Sequence, residues 1–191
     1  MKVYQLNNMT LGSKSLIHCL NFATDQYIKK MNSKPGTHEY FMQKAVELSI
    51  EGMNKNEGGP FGCVIVKDGQ IVGRGNNKVT SSNDPTAHAE VTAIRDACKN
   101  LNDFQLEDCI LYTSCEPCPM CLGAIYWARP KAVYFGSGKT AAAEAGFDDD
   151  FIYQEIEKLH SDRRIPFSQL LPEHAQTAFD LWIEKEDKAR Y

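Results

Sequence analysis

The stretch SCEPCPMC (residues 114–121) sets Cys115, Cys118 and Cys121 three apart, and the stretch AHAE (87–90) sets His88 two residues before Glu90. Thiolate sulfur and imidazole nitrogen are the usual ligands of zinc, at roughly 2.3 Å and 2.0 Å. Residues three apart on a helix share a face, so Cys118 and Cys121 can reach one ion together. Pro117 and Pro119 suit the start of that helix, where a missing N–H costs nothing. The positive end of a helix also favours thiolate over thiol. Glu116 precedes a proline and is biased toward extended backbone, which turns Cys115 off the helix axis. Cys118 and Cys121 are therefore assigned as ligands with His88 as the third, and Cys115 stands beside the set.

Three protein ligands leave the fourth tetrahedral position for water, the arrangement of a catalytic zinc rather than a sealed structural one. The rival is a closed site that adds Cys115. Glu90 argues against the rival, because a sealed site gives a nearby carboxylate no task. Zinc lowers the pKa of bound water from about 15.7 toward about 7 at best. Two thiolates offset the metal's charge, so a general base must supply the difference. Glu90 is the candidate catalytic residue, and one zinc ion per chain is the expected cofactor.

The elements that must hold these residues can be read from pattern. Phe41, Met42, Ala45 and Leu48 fall at helical spacing. Gly58-Gly59-Pro60 breaks the chain before FGCVIVK, which reads as a strand. Asp68-Gly69 predicts a two-residue hairpin that returns QIVGRGN antiparallel beside it. Ala87, Val91, Ile94 and Cys98 predict the buried stripe of a second helix, which Thr86 can cap so that His88 and Glu90 lie in its first turn. CILYT (109–113) reads as a buried strand, Cys118 to Ala128 as a third helix, KAVYFGS (131–137) as a further strand, and 172–189 as a final helix. Strands alternating with helices predict an α/β fold, a three-layer sandwich around a mixed sheet.

Composition narrows the partners. The 191 residues carry seven cysteines, an odd and clustered number that favours a reducing compartment, hence the cytoplasm, over a disulfide framework. Apolar runs such as CVIV are too short to span a membrane. The N-terminus lacks the pattern of a secretory signal. Residues 1–37 hold five lysines against Asp25 and are read as an N-terminal arm, distinct from a domain over 38–191. The net charge is −4, and with a basic arm the body is more acidic still. That argues against a nucleic-acid partner, which needs a basic face to neutralise phosphates.

His88-Ala89-Glu90 with Pro117-Cys118-Pro119-Met120-Cys121 matches the H-x-E…P-C-x-x-C signature of the zinc-dependent cytidine deaminase superfamily. GGPFG (58–62), NDPTAHAEVTAIRDAC (83–98), YTSCEPCPMCLGAIYWARP (112–130) and AAEAGFDDDFIY (142–153) resemble the bacterial guanine deaminases within it. The resemblance covers about residues 38–191 and departs most over 161–172. It implies a cytidine deaminase-like α/β/α fold and hydrolysis of the purine base guanine to xanthine and ammonia. Water activated by zinc would attack C2 while Glu90 carries the proton to N3 and then to the leaving amine.

The same resemblance marks a pocket. Phe61 would stack on the base, or else be a core residue at a strand start. Asn77 would bond the purine ring, or else be a turn residue. Asp149 would accept from the N–H groups of guanine, with Asp148 and Asp150 as rivals in register. Trp127 and Tyr191 would close the pocket in a homodimer whose C-terminal segments are exchanged between subunits, against helix packing for Trp127 and a frayed end for Tyr191. Three alternatives remain: action on guanosine or another nucleobase or nucleoside, a tRNA adenosine deaminase, and a zinc-stabilised module without activity. The stretch 172–191 has five acids against three basic residues, which suits an anticodon stem poorly.

Overall fold

The computed structural model describes residues 33–190; residues 1–32, most of the arm read over 1–37, and Tyr191 lie outside the described residues. Thr37 caps the first described helix, α1 (His38–Asn54), its hydroxyl accepting from the Tyr40 amide at 3.3 Å. Strands β1 (Gly62–Lys67) and β2 (Gln70–Asn76) follow as an antiparallel pair. Asp68 and Gly69, both at positive φ (50° and 74°), make the tight turn between them. The register shifts between Ile65 and Val66, a bulge that the alternation of residue types does not announce. The chain continues through α2 (Val79–Ser82), α3 (Ala89–Leu101), β3 (Ile110–Cys115), α4 (Pro119–Ala128) and β4 (Ala132–Ser137). It ends with α5 (Lys139–Glu144), α6 (Asp150–Glu157), a 3-10 turn at His160–Asp162 and α7 (Pro172–Glu184).

The sheet order is β2-β1-β3-β4, with β1 antiparallel to both neighbours and β3 parallel to β4. It is mixed, as expected, and carries helices on both faces. Alternation along the strands sorts the core into two halves. Phe41 and Ala45 of α1 pack on Val64, Val66 and Tyr112. On the other face Ala89, Ala93 and Ala97 of α3, with Ile125 and Ala128 of α4, pack on Cys63, Ile65 and Leu111. Fully burying an aliphatic side chain of this kind contributes about 1.5–3 kcal/mol.

Two expectations for α3 need correction. The face that seats deepest is Ala89-Ala93-Ala97, whereas Ala87 and Val91 are buried but Ile94 and Cys98 only partly. The reason lies in the facing strand. At Gly73 a Cβ would stand 2.6 Å from the Ala93 carbonyl, and at Gly75 it would meet the Ala89 carbonyl and stand 2.5 Å from the Ala93 amide. Helix and strand approach backbone to backbone, so small residues take the contact. The cap is also different: Thr86 does not cap α3, because its hydroxyl bonds Asp84 Oδ1 at 2.7 Å, and the N-cap is His88.

The C-terminal third is laid out differently. No residue of α5, α6 or α7 is buried, and α7 ends at Glu184 rather than near residue 189. Phe179, Leu181, Trp182 and Ile183 stand exposed on it.

Candidate active site

Two helix starts meet at the end of the sheet. His88 is the N-cap of α3 and Cys118 the N-cap of α4, both with extended backbone and neither with a side-chain capping bond. Pro119 takes the first turn of α4, as the sequence predicted. Cys121 follows one turn in, fully buried. The ligand atoms of His88, Cys118 and Cys121 lie within 4.8 Å of one another, a metal-sized cluster among the described residues.

The spacing tests the fit to zinc. Tetrahedral geometry with Zn–S near 2.3 Å and Zn–N near 2.0 Å sets N and S ligands about 3.5 Å apart. His88 Nδ1 lies 3.5 Å from Cys118 Sγ and 3.5 Å from Cys121 Sγ. The three residues fit the ion. Cys115 does not join them: it ends β3, with its Sγ 3.9 Å from the Gly138 carbonyl.

The electrostatics favour thiolate here. Hydrogen bonding from Cys121, and then from His88, pulls Cys118 down to about 4 despite its burial. Cys121, holding the proton toward Cys118 in a buried place, is pushed up. The Cys118 sulfur in turn raises His88. One thiolate is thus already favoured, and a zinc ion held here would take the place of the proton on the other.

Glu90 sits in the first turn of α3, 6% exposed. Burial raises its pKa. Its Oε1 accepts from the Thr113 hydroxyl at 2.9 Å, and its Oε2 lies 3.3 Å from Cys121 Sγ. A carboxylate with a raised pKa beside a set of metal-ligating side chains has the properties of a group that takes and returns a proton.

A cavity of about 350 Å³ opens above these groups. That is the size of a small-molecule site. Its lining includes His88, Glu90 and Cys118 together with Phe61, Asn77 and Asp149. Asn77 is buried, its Oδ1 accepting from the Gly59 and Val79 amides at 3.3 and 3.2 Å. The backbone uses the carbonyl end of that side chain and leaves the two Nδ2 donors. Asp148 and Asp149 both line the cavity, but Asp148 Oδ1 is taken by the Asp150 amide at 3.0 Å. Asp150 pairs with Lys139 at 3.4 Å. Asp149 is the N-cap of α6 without a side-chain capping bond, and burial raises its pKa, with the Cys118 charge adding to it.

Trp127 is 65% exposed on α4 and does not line this cavity, and Tyr191 lies outside the described residues. Two residues at the site escaped sequence reasoning, one lining the cavity and one behind it. Phe147 meets the Phe61 ring edge-on at 4.9 Å, following Gly146 at φ 91°. Thr113 lies behind Glu90, and its one signal was a hydroxyl in a strand otherwise rich in apolar residues.

Comparison with known proteins gives the same picture. Residues 35–137 match the family model described as the cytidine and deoxycytidylate deaminase zinc-binding region. The chain is 63% identical over 155 residues to guanine deaminase of Bacillus subtilis, covering 81% of this chain and 99% of that protein. The X-ray structure of guanine deaminase from Bacillus subtilis superposes with a TM-score of 0.79 at 61% identity, covering 81% of this chain and 99% of that one. A tRNA-specific adenosine deaminase of Aquifex aeolicus is 42% identical over 99 residues, 52% of this chain and 65% of that protein.

Proposed function

The chain belongs to the cytidine and deoxycytidylate deaminase zinc-binding family, and from that membership and the site's geometry we propose that it hydrolyses guanine to xanthine and ammonia. The observation that carries the chemistry is the Glu90 carboxylate, buried beside the His88, Cys118 and Cys121 cluster at the base of a ring-sized cavity. The choice of guanine rests on the relative that is 63% identical along nearly its whole length.

Zinc, when bound, supplies the Lewis acidity that makes water a nucleophile near neutral pH. Glu90 would take a proton from a water held over the base and deliver it to ring N3 as the water oxygen bonds C2. It would then take the hydroxyl proton of the resulting tetrahedral carbon and pass it to the 2-amino nitrogen as the C2–N bond breaks and ammonia leaves. Asp149 accepts from N1–H and the 2-amino group of guanine, the donors that set guanine apart from adenine, whose N1 is an acceptor. Asn77 offers its Nδ2 donors to acceptors of the ring. Phe61 lies against the face of the base, steadied by Phe147. A pocket built on matched donors and acceptors rejects the wrong base strongly.

Residues 38–191 form the deaminase domain, with 1–37 as an arm. The protein works as a homodimer that exchanges C-terminal segments. Support comes from α7, whose exposed Phe179, Leu181, Trp182 and Ile183 call for a covering surface. In that dimer Trp127 and Tyr191 close the pocket, which Trp127 does not line in the single chain. The six described cysteines are all free, which suits the reducing cytoplasm. No described helix is long and apolar enough to cross a membrane.

The test is ammonia release from guanine, guanosine, adenine and cytosine by the purified, zinc-loaded protein. Guanine should be the strong substrate. Ammonia from guanosine at an equal rate would move the assignment to the nucleoside, and ammonia from cytosine alone would overturn it.

A further inference from the structure

The face of β3 that looks toward α3 reads Leu111, Thr113, Cys115, and Thr113 pairs with Cys63 of β1. Thr113 is 1% exposed, so its hydroxyl is shut off from bulk solvent and needs a partner. It has Glu90 Oε1, at 2.9 Å.

Resting on the deaminase reading above, we propose that Thr113 is a positioning residue that decides which oxygen of Glu90 handles protons. An ionised carboxylate only accepts hydrogen bonds, so the bond runs from Thr113 Oγ1 to Oε1. Among the described residues the other side chain against this carboxylate is Cys121, its Sγ 3.3 Å from Oε2. The amide of Glu90 also supports the carboxylate, but it belongs to the same residue and cannot set the group's orientation against the sheet. Thr113 therefore ties Oε1 to β3 and leaves Oε2 turned toward the ligand cluster. The two oxygens are no longer equivalent, and the proton that Glu90 carries rides on Oε2.

The test compares Thr113→Val, which keeps the shape and removes the hydroxyl, with Thr113→Ser, which keeps the hydroxyl. With guanine, Thr113→Val should lose roughly 10- to 100-fold in kcat, the scale of a hydrogen bond to a charged group, with KM within about twofold. Zinc content and thermal midpoint should stay close to wild type, and Thr113→Ser should recover most of the rate. Crystals of zinc-loaded wild type should show the Thr113–Oε1 bond, and those of Thr113→Val a rotated carboxylate. A Thr113→Val rate within about twofold of wild type overturns the assignment, as does Thr113→Ser being as slow as Thr113→Val. Loss of zinc or of a cooperative melt along with the rate makes Thr113 a structural residue and also overturns it. A wild type that releases no ammonia from guanine sinks the substrate reading instead. The carboxylate's orientation still decides this one, because crystals report it without turnover.

Discussion

His88 Nδ1 and Cys118 Sγ stand 3.5 Å apart across 30 residues of chain, and each belongs to the N-cap residue of its helix. An N-cap side chain normally accepts from the first-turn amides, and losing that bond costs about 1 kcal/mol. Here both helices forgo it, so the ligands face each other rather than their own helices.

Zinc therefore stabilises the junction as well as serving chemistry. At zinc a hundredfold above its Kd, binding adds about 2.7 kcal/mol, which for a chain of this size moves the thermal midpoint by roughly 5–10 °C. Chelation should lower the midpoint by that amount while both core clusters keep a cooperative melt. Cys118→Ser should lose the metal, and Cys115→Ser should keep one zinc per chain by elemental analysis. Zinc lost from Cys115→Ser would make the site a closed one.

Asp149 should govern the substrate. Asp149→Asn removes the charged acceptor and should cut kcat/KM for guanine by roughly 10- to 100-fold. Asp150→Asn breaks the exposed pair with Lys139 and should stay within about twofold of wild type. Equal effects in steady-state assays would mean that the acidic loop acts as a field rather than through one residue.

Gly75 should tolerate no side chain. A Cβ there would collide with the Ala89 carbonyl, two residues from the Thr86–Ala87 turn that leads into His88 and Glu90. Gly75→Ala should destabilise by about 1–3 kcal/mol, the usual cost of overpacking. It should also weaken zinc binding, because α3 carries the ligand with it. Urea unfolding and zinc titration check both. An unchanged zinc affinity would show that the helix start moves independently of its packing.

The turn before His88 should be pH-sensitive. The Thr86 hydroxyl and amide, at 2.7 and 2.8 Å, hold the Asp84 carboxylate below its ordinary pKa, with the Thr86 side chain the larger cause. A folded pKa below the unfolded one adds stability above the unfolded value, about 3.9, and loses it as pH falls through the folded value. In urea with chelator present, wild type should be more stable than Asp84→Ala at pH 7, and the gap should narrow once the pH drops under about 3.9. A gap of the same size at pH 3 would mean that the charge is not what acts.

Much of this site was legible in the sequence because chemistry at fixed spacing survives ignorance of packing. The C-x-x-C pair, His88, Glu90 and the Asp68-Gly69 turn depend on local geometry alone. The contact between α3 and the sheet does not. Ile94 and Cys98 outweigh Ala93 and Ala97 in hydrophobicity, yet the alanines take the buried positions, because Gly73 and Gly75 on a strand not adjacent in sequence admit the helix so closely. Thr86 does not cap α3 for a similar reason: Asp84, two residues earlier, takes its hydroxyl. The short helices α2, α5 and α6 have too few turns to leave a periodic signature. Thr113 was hidden because a strand pattern says which face a residue takes and nothing about what it meets there.

Replacing Glu90 with Gln is the most direct test, because it keeps the shape and removes the proton carrier. Zinc content and ammonia release from guanine would be measured on the same preparation. The expected result is one zinc per chain, a near-normal thermal midpoint, and turnover down roughly 100- to 10,000-fold, the range for a lost general acid–base. Turnover within about twofold of wild type with zinc in place would contradict the role given to Glu90, and zinc lost with the activity would make Glu90 a part of the metal site instead.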